Sequence, residues 1–135
     1  MNADNPTGAL AHLSKAVEGL LFSSESDYPL ELFVWDDSTP FSPSLLYQLT
    51  ALPDSVEVTT EDLDRFFAPM LSLDPNPGPQ ERTRAARFRS LVKLLRRQFR
   101  DLAVYKLGRV EMPTFIVGYL ADGRVAGLRT TVVET

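Results

Sequence analysis

Two short stretches of this 135-residue sequence place side-chain oxygen atoms where they could do chemistry with a partner. One is the triplet Ser24-Glu25-Ser26, and the other is the end of the sequence, Glu134-Thr135. Carboxylate and hydroxyl oxygens accept hydrogen bonds from cationic groups and are the ligands that hard divalent metals prefer. Both stretches therefore offer acceptors to the cationic groups of a partner.

The triplet lies in the polar segment 23–29, for which two interpretations stay open. Because the helix before it cannot continue into Pro29, the segment is typical of a loop that connects a helix to a strand. Alternatively, Glu25 between two serines offers acceptors to a partner, which is typical of a recognition loop.

Cysteine and histidine, which often serve as nucleophile, general base or zinc ligand, are nearly absent from the sequence. The sequence contains no cysteine, which excludes disulfides, thiolate metal sites and a cysteine nucleophile. Its one histidine, His12, falls on the polar side of a predicted helix, and the carboxylates of Asp36 and Asp37 point apart on an extended chain. Glycine-flanked serine, phosphate-loop and zinc-protease motifs are also absent. We expect no enzymatic activity, no cofactor and no metal site of its own.

Charge is divided unevenly along the chain, whose formal net charge is −4. Residues 80–102 contain eight basic and two acidic residues, a balance of +6, which leaves −10 on the remainder. The basic residues are Arg82, Arg84, Arg87, Arg89, Lys93, Arg96, Arg97 and Arg100. On the predicted helix these residues would form a basic face, which is the main argument for nucleic-acid binding. Without a phosphate loop, a helix-turn-helix pattern or an aromatic platform, a solvent-exposed arginine face is favoured.

Three consecutive strands are predicted over residues 104–135, where apolar residues alternate or run together. Asp122-Gly123 predicts a tight hairpin between the second and third strands, because glycine supplies the positive φ of a primed turn. In the second strand Phe115 and Val117 point to one face, and Ile116 points to the other. A sheet that is apolar on both faces needs helices above and below it.

Helices and short strands are predicted for the rest of the chain. Thr7 and Thr60 are the expected N-caps of two helices, and Leu45, Leu46 and Leu49 are expected to face inward. The predicted elements are a helix from residue 7 to about 21, a strand at 30–35 ended by 36–40, a short helix at 42–52, an extended piece at 56–58, a helix after residue 60, an exposed loop at 73–79 and a long helix at 80–102.

The length of the chain is that of one domain, so residues 1–135 are predicted to form a single domain. The N-terminus lacks the features of a signal peptide, and no stretch approaches the ~20 apolar residues needed to span a bilayer. We therefore expect an acidic, soluble protein in the cytoplasm, without a membrane partner.

Three stretches of the sequence together resemble those of a known protein family. Residues 19–35 (GLLFSSESDYPLELFVW), 86–95 (ARFRSLVKLL) and 104–135 (VYKLGRVEMPTFIVGYLADGRVAGLRTTVVET) resemble, in order, the nuclease A inhibitor family of cyanobacteria. The resemblance implies an α+β fold, a three-layer α/β/α sandwich with a largely antiparallel central sheet. It also implies a protein that blocks the active site of a non-specific DNA/RNA endonuclease of the ββα-metal type. That partner would be bound one to one by a protein that is monomeric when free and does not contact nucleic acid directly.

The resemblance further implies which residues contact the partner. The family's loop glutamate matches Glu25, and its C-terminal threonine matches Thr135, which would approach the nuclease's divalent metal. The neighbouring Ser24, Ser26 and Glu134 complete this predicted contact set.

A third family element is altered. The family's aspartate-tryptophan pair falls near Pro75 and Asn76, so the large aromatic side chain is missing and only Asp74 could replace part of the charge. Loss of an aromatic anchor costs ~2 kcal/mol or more, which is over tenfold in affinity.

An alternative function is a protein-interaction or adaptor domain of the same fold that has a different partner and does not inhibit a nuclease. Such a domain would bind through its helical surfaces. Changes at Thr135 would then have no effect on binding.

Overall fold

A computed structural model describes residues 6–35, 40–53 and 55–135, with only the backbone of Pro6 and Thr7. The described chain is a mixed α+β fold. Its elements are α1 (Pro6–Ala16), β1 (Leu21–Ser23), β2 (Asp27–Pro29), β3 (Glu31–Trp35), a 3₁₀ helix (Pro43–Leu49), β4 (Val58–Glu61), α2 (Leu63–Leu71), α3 (Pro79–Gln98), β5 (Arg100–Leu107), β6 (Glu111–Tyr119) and β7 (Val125–Val133). Within these ranges no helix has both the length and the apolar character that crossing a membrane requires.

The five-stranded sheet has the order β3-β7-β6-β5-β4, and every neighbouring pair is antiparallel. The three predicted C-terminal strands are confirmed, although β5 begins at Arg100, before the predicted residue 104. The prediction that the long helix continues to residue 102 is wrong. Phe99 adopts an extended conformation and makes the last helical bond to Leu95, and Asp101 (φ 55°) then forms an irregularity in the β5–β6 pairing.

Apolar side chains are buried on both faces of this sheet, as the alternation in β6 predicts. Ile116 belongs to a cluster with Leu13 of α1, Phe67 of α2 and Phe88 of α3. Phe115 and Val117 belong to a second cluster, which includes Leu46 of the 3₁₀ helix. The helical cover is therefore three α-helices in one cluster and a short 3₁₀ helix in the other, and the three-layer description stays a prediction.

The Asp122-Gly123 hairpin is confirmed, but its turn differs from the predicted two-residue primed turn. Gly123 donates to Leu120 O at 2.8 Å, and Leu120 donates to Arg124 O at 2.8 Å, so three residues form the loop. Gly123 has φ +90°, whereas Asp122 does not have a positive φ. The arrangement is that of a turn followed by a left-handed glycine, which needs only one residue at positive φ.

Both predicted N-caps are wrong. Thr60 lies in β4, and Asp62 caps α2 by accepting hydrogen bonds from the backbone N–H groups of Asp64 (3.1 Å) and Arg65 (3.4 Å). The helix α1 begins at Pro6, so Thr7 lies inside it. The prediction that this helix continues to about residue 21 is also wrong, because α1 ends at Ala16, Gly19 has a positive φ and Leu21 lies in β1.

The short helix at 42–52 is observed only over Pro43–Leu49, and Leu49 is exposed rather than inward. A 3₁₀ helix turns every three residues, so Leu46 and Leu49 share an edge, but the helix ends at Leu49 and of these two only Leu46 is buried. Of the predicted extended piece at 56–58 only Val58 lies in a strand, because β4 runs from Val58 to Glu61. The predicted strand end at Asp36 and Asp37 lies outside the described residues.

Candidate functional site

Segment 23–29 forms the end of a small hairpin rather than a plain connection. β1 and β2 pair antiparallel, with Ser23 opposite Asp27. Phe22 of β1 is buried and stacks on Phe66 of α2 with ring centroids 4.5 Å apart, which fixes the hairpin to the core. Thr130 of β7 donates to Pro29 O at 2.9 Å and joins the hairpin to the main sheet.

The turn of this hairpin is hydrogen-bonded to the end of β7. Ser24 Oγ accepts from the N–H of Val133 at 2.9 Å and donates to Ser26 O at 3.2 Å. The N–H of Glu25 donates to Val133 O at 3.2 Å. Because both polar backbone groups of Val133 are bound, the last residues of β7 have a fixed position relative to Glu25.

Glu25 and Thr135, the two residues that the resemblance predicts to bind the partner, are in direct contact. Thr135 Oγ1 donates to Glu25 Oε1 at 2.6 Å, and the N–H of Thr135 donates to Glu25 Oε2. Both residues are exposed. Each carboxylate oxygen has two lone pairs, so Glu25 can bind Thr135 and still accept from a partner.

Glu134 is held from the opposite side. Its N–H donates to Val110 O at 2.9 Å, and its carboxylate lies 3.3 Å from the ammonium of Lys106. Lys106 also binds Glu61 at 2.8 Å, and its side chain is only 15% exposed. Burial lowers the pKa of Lys106, but the hydrogen bond to Glu61 and the charges of Glu61 and Glu134 outweigh it, so the pKa is raised.

The structure brings four of the predicted contact residues together: Ser24, Glu25, Glu134 and Thr135. The fifth, Ser26, lies in the same turn, is exposed and contributes its carbonyl oxygen. Asp74 is exposed in the loop between α2 and α3. No hydrogen bond or ion pair among the described residues joins Asp74 to the others.

Lys106 and Glu61 were missed by the sequence analysis. A signal was available, since Lys106 occupies a position in β5 that shares a face with the buried Val104. A lysine at such an inward position needs a carboxylate partner. The sequence could not identify the partners, which come from β4 and from the residue after β7.

The basic face of α3 is partly engaged within the molecule. Arg87 donates to Ala16 O at 3.1 Å and to Glu18 O at 2.8 Å, at the C-terminal end of α1. Arg96 binds Asp64 at 2.7 Å. These contacts give two of the arginines a role in joining helices, which is a different role from binding a polyanion.

The exposed end of β7 and the adjacent turn have the character of a binding surface rather than of a metal centre. Among the described residues no group of three or more histidine, cysteine or acidic side chains could hold a metal ion. The α+β scaffold presents an exposed, hydrogen-bonded tail, Glu134-Thr135, beside the acidic turn of residues 24–26. This arrangement is suited to binding a partner.

Comparison with known proteins identifies the family. Residues 7–135 match the model of the family described as nuclease A inhibitor-like protein, and the chain belongs to this family. A comparison with curated proteins found no match. The family suggests a nuclease inhibitor rather than an enzyme, with a nuclease as the protein partner.

Proposed function

We propose that this protein inhibits a non-specific DNA/RNA endonuclease of the ββα-metal type by occupying its active site, one inhibitor per nuclease. The observation that carries this proposal is the direct contact between Glu25 and Thr135 at the exposed end of β7. Family membership supports a nuclease as the partner.

The chemistry of a nuclease active site explains why such a tail would bind there. An enzyme that holds nucleic acid presents cationic side chains, and its hard divalent metal prefers oxygen ligands. Thr135 supplies a hydroxyl and, where the chain ends at this residue, a carboxylate that takes the place of the scissile phosphate. The nuclease can bind these oxygens but finds no phosphodiester bond to cleave.

The contacts seen in the protein arrange these oxygens before the partner binds. Ser24 and Glu25 hold the backbone of Val133, and Glu25 holds Thr135. Ordering a side chain on binding costs about 0.5–1.5 kcal/mol each, so a tail that is already ordered loses less free energy. The tail can therefore bind tightly without a large contact area.

Long-range attraction adds to the rate of association. The net charge is −4, and the chain outside residues 80–102 carries −10. An acidic surface attracts a cationic active site and accelerates encounter, an effect that salt reduces.

The loop between α2 and α3 contributes less than its equivalent in the family would. Asp74 is exposed, and the adjacent Leu73 is 42% exposed. We assign this pair a charged and a small apolar contact at the edge of the interface. Without an aromatic anchor there, the tail carries a larger share of the binding energy.

The decisive experiment alters the tail alone. The assay measures cleavage of plasmid DNA by a purified ββα-metal endonuclease in magnesium or manganese, with increasing concentrations of inhibitor. Three forms of the inhibitor are compared: the untagged chain, a chain lacking Thr135 and a chain with Gly-Ser-Gly added after Thr135. We expect both tail variants to inhibit more than tenfold more weakly than the untagged chain.

The matched control carries the same Gly-Ser-Gly before Met1. Circular dichroism should show melting temperatures within about 5 °C of one another for all four proteins, because Thr135 is exposed, lies outside β7 and bonds to an exposed carboxylate. Equal inhibition by the extended and unextended chains would show that the tail does not occupy the active site. Inhibition that tail changes leave intact would favour an adaptor domain that binds through its helical surfaces.

A further inference from the structure

Lys106 is a mostly buried cation on the face of the sheet that also carries the buried Val104 and Ile116. Its ammonium lies 5.6 Å from the ring centroid of Phe66 and contacts two carboxylates, Glu61 at 2.8 Å and Glu134 at 3.3 Å. With 15% exposure, this lysine is far more buried than lysines usually are. Two carboxylates on one cation satisfy its charge and place it firmly.

The two carboxylates come from distant parts of the sheet. Glu61 is the last residue of β4, at one edge, and Glu134 follows β7, which is separated from β5 by β6. Lys106 therefore links Glu134, which follows β7, to Glu61 on the edge strand β4. The backbone bond from Glu134 to Val110 O, at 2.9 Å, lies at the same end.

We propose that Lys106 is a positioning residue for the inhibitory tail, an inference that rests on the proposed function. Lys106 holds Glu134 from one side while Glu25 holds Thr135 from the other. The last two residues are thus fixed at two points, which sets the direction in which the oxygens of Thr135 point. Lys106 itself does not contact the nuclease.

Backbone amide exchange measured by NMR on the whole protein tests the positioning directly. The N–H of Glu134 reports the bond to Val110, and the N–H of Thr135 reports the bond to Glu25. In Lys106→Met we expect both amides to exchange about fivefold faster, the usual upper range for a partly exposed ion pair. The N–H groups of β6 should keep their protection.

Inhibition of a purified ββα-metal endonuclease is the second measurement. Lys106→Met should inhibit about fivefold more weakly, mainly through faster dissociation. Lys106→Arg should keep the inhibition and the slow amide exchange of the wild type, because the guanidinium keeps the positive charge.

Two control variants separate positioning from general effects. Arg109→Met removes the same charge from the neighbouring turn, where the side chain is 85% exposed and lies 3.8 Å from Glu57. It should leave amide exchange in the tail unchanged. Glu61→Gln breaks the other half of the Lys106 contacts and leaves the ammonium to Glu134, so exchange at Glu134 should not become faster.

The outcomes distinguish this inference from the proposed function. If extension after Thr135 abolishes inhibition but Lys106→Met inhibits and exchanges like the wild type, Lys106 does not position the tail. If tail extension has no effect on inhibition but Lys106→Met accelerates exchange at Glu134, the positioning is supported and the inhibitory mechanism is wrong. Equal acceleration by Arg109→Met would also overturn the role of Lys106.

Discussion

Replacing Glu25 with glutamine should weaken inhibition much more than it weakens the fold. Glu25 accepts two hydrogen bonds from Thr135, one to each carboxylate oxygen. A glutamine keeps one acceptor oxygen and has no charge, so one bond to the tail is lost and the other is no longer charge-assisted. Because both residues are exposed, we expect this loss to cost the free energy of unfolding less than about 1 kcal/mol.

The effect on inhibition is larger because the same carboxylate would face a cation of the nuclease. A hydrogen bond to a charged group contributes about 1.5–3 kcal/mol when it is shielded from water. Adding the loosening of Thr135 gives about 2–4 kcal/mol, which corresponds to a loss of about 30-fold to almost 1,000-fold in affinity. The loss of affinity is measured as an inhibition constant in plasmid cleavage and as a dissociation rate from surface-immobilised nuclease.

Asp27→Asn is the matched control. Asp27 lies two residues away in β2, is exposed and loses the same charge, but the described contacts do not join its side chain to Thr135. It should change mainly the salt-dependent association rate, and by less than about fivefold. If both variants weaken inhibition equally, Glu25 acts only through long-range charge and the local contact with Thr135 is irrelevant to inhibition.

Three further predictions concern the scaffold. Arg87→Met should lower the free energy of unfolding in urea by about 1–2 kcal/mol, because two backbone carbonyls at the end of α1 lose their donor, whereas the exposed Arg89→Met should change it by less than about 0.5 kcal/mol. Gly127→Ala should lower the free energy of unfolding by about 4 kcal/mol or prevent folding, since its Cβ would lie 1.8 Å from a carbonyl oxygen of β6. In the control Gly78→Ala the Cβ would meet no atom closer than 4.0 Å, so the cost should be less than about 1 kcal/mol. Thermal unfolding of the two variants measures the difference. The raised pKa of Lys106 means that its contribution to stability is complete below the unfolded value near 10.5 and is lost as pH rises through the folded value. The difference in unfolding free energy between the wild type and Lys106→Met should therefore shrink above pH 10.5. A difference that stays constant with pH would contradict a stabilising ion pair at Lys106.

Elements encoded by local patterns could be predicted from the sequence. The alternation of Phe115, Ile116 and Val117 indicated a strand buried on both faces, and Asp122-Gly123 indicated the hairpin that follows it. These patterns reflect backbone and burial preferences that act over a few residues. The hairpin formed by β1 and β2 was missed because strands of three residues are too short to show an alternation.

The candidate site shows the same division between local and long-range information. The sequence identified Glu25 and Thr135 as residues suited to bind cations, through their types and the resemblance to a family. It could not show that they touch, because 110 positions separate them. Their contact depends on how the hairpin packs against α2 through Phe22 and on the register of β7. Those are properties of tertiary packing, as is the burial that turns Lys106 from an ordinary surface charge into a fixed link to Glu134.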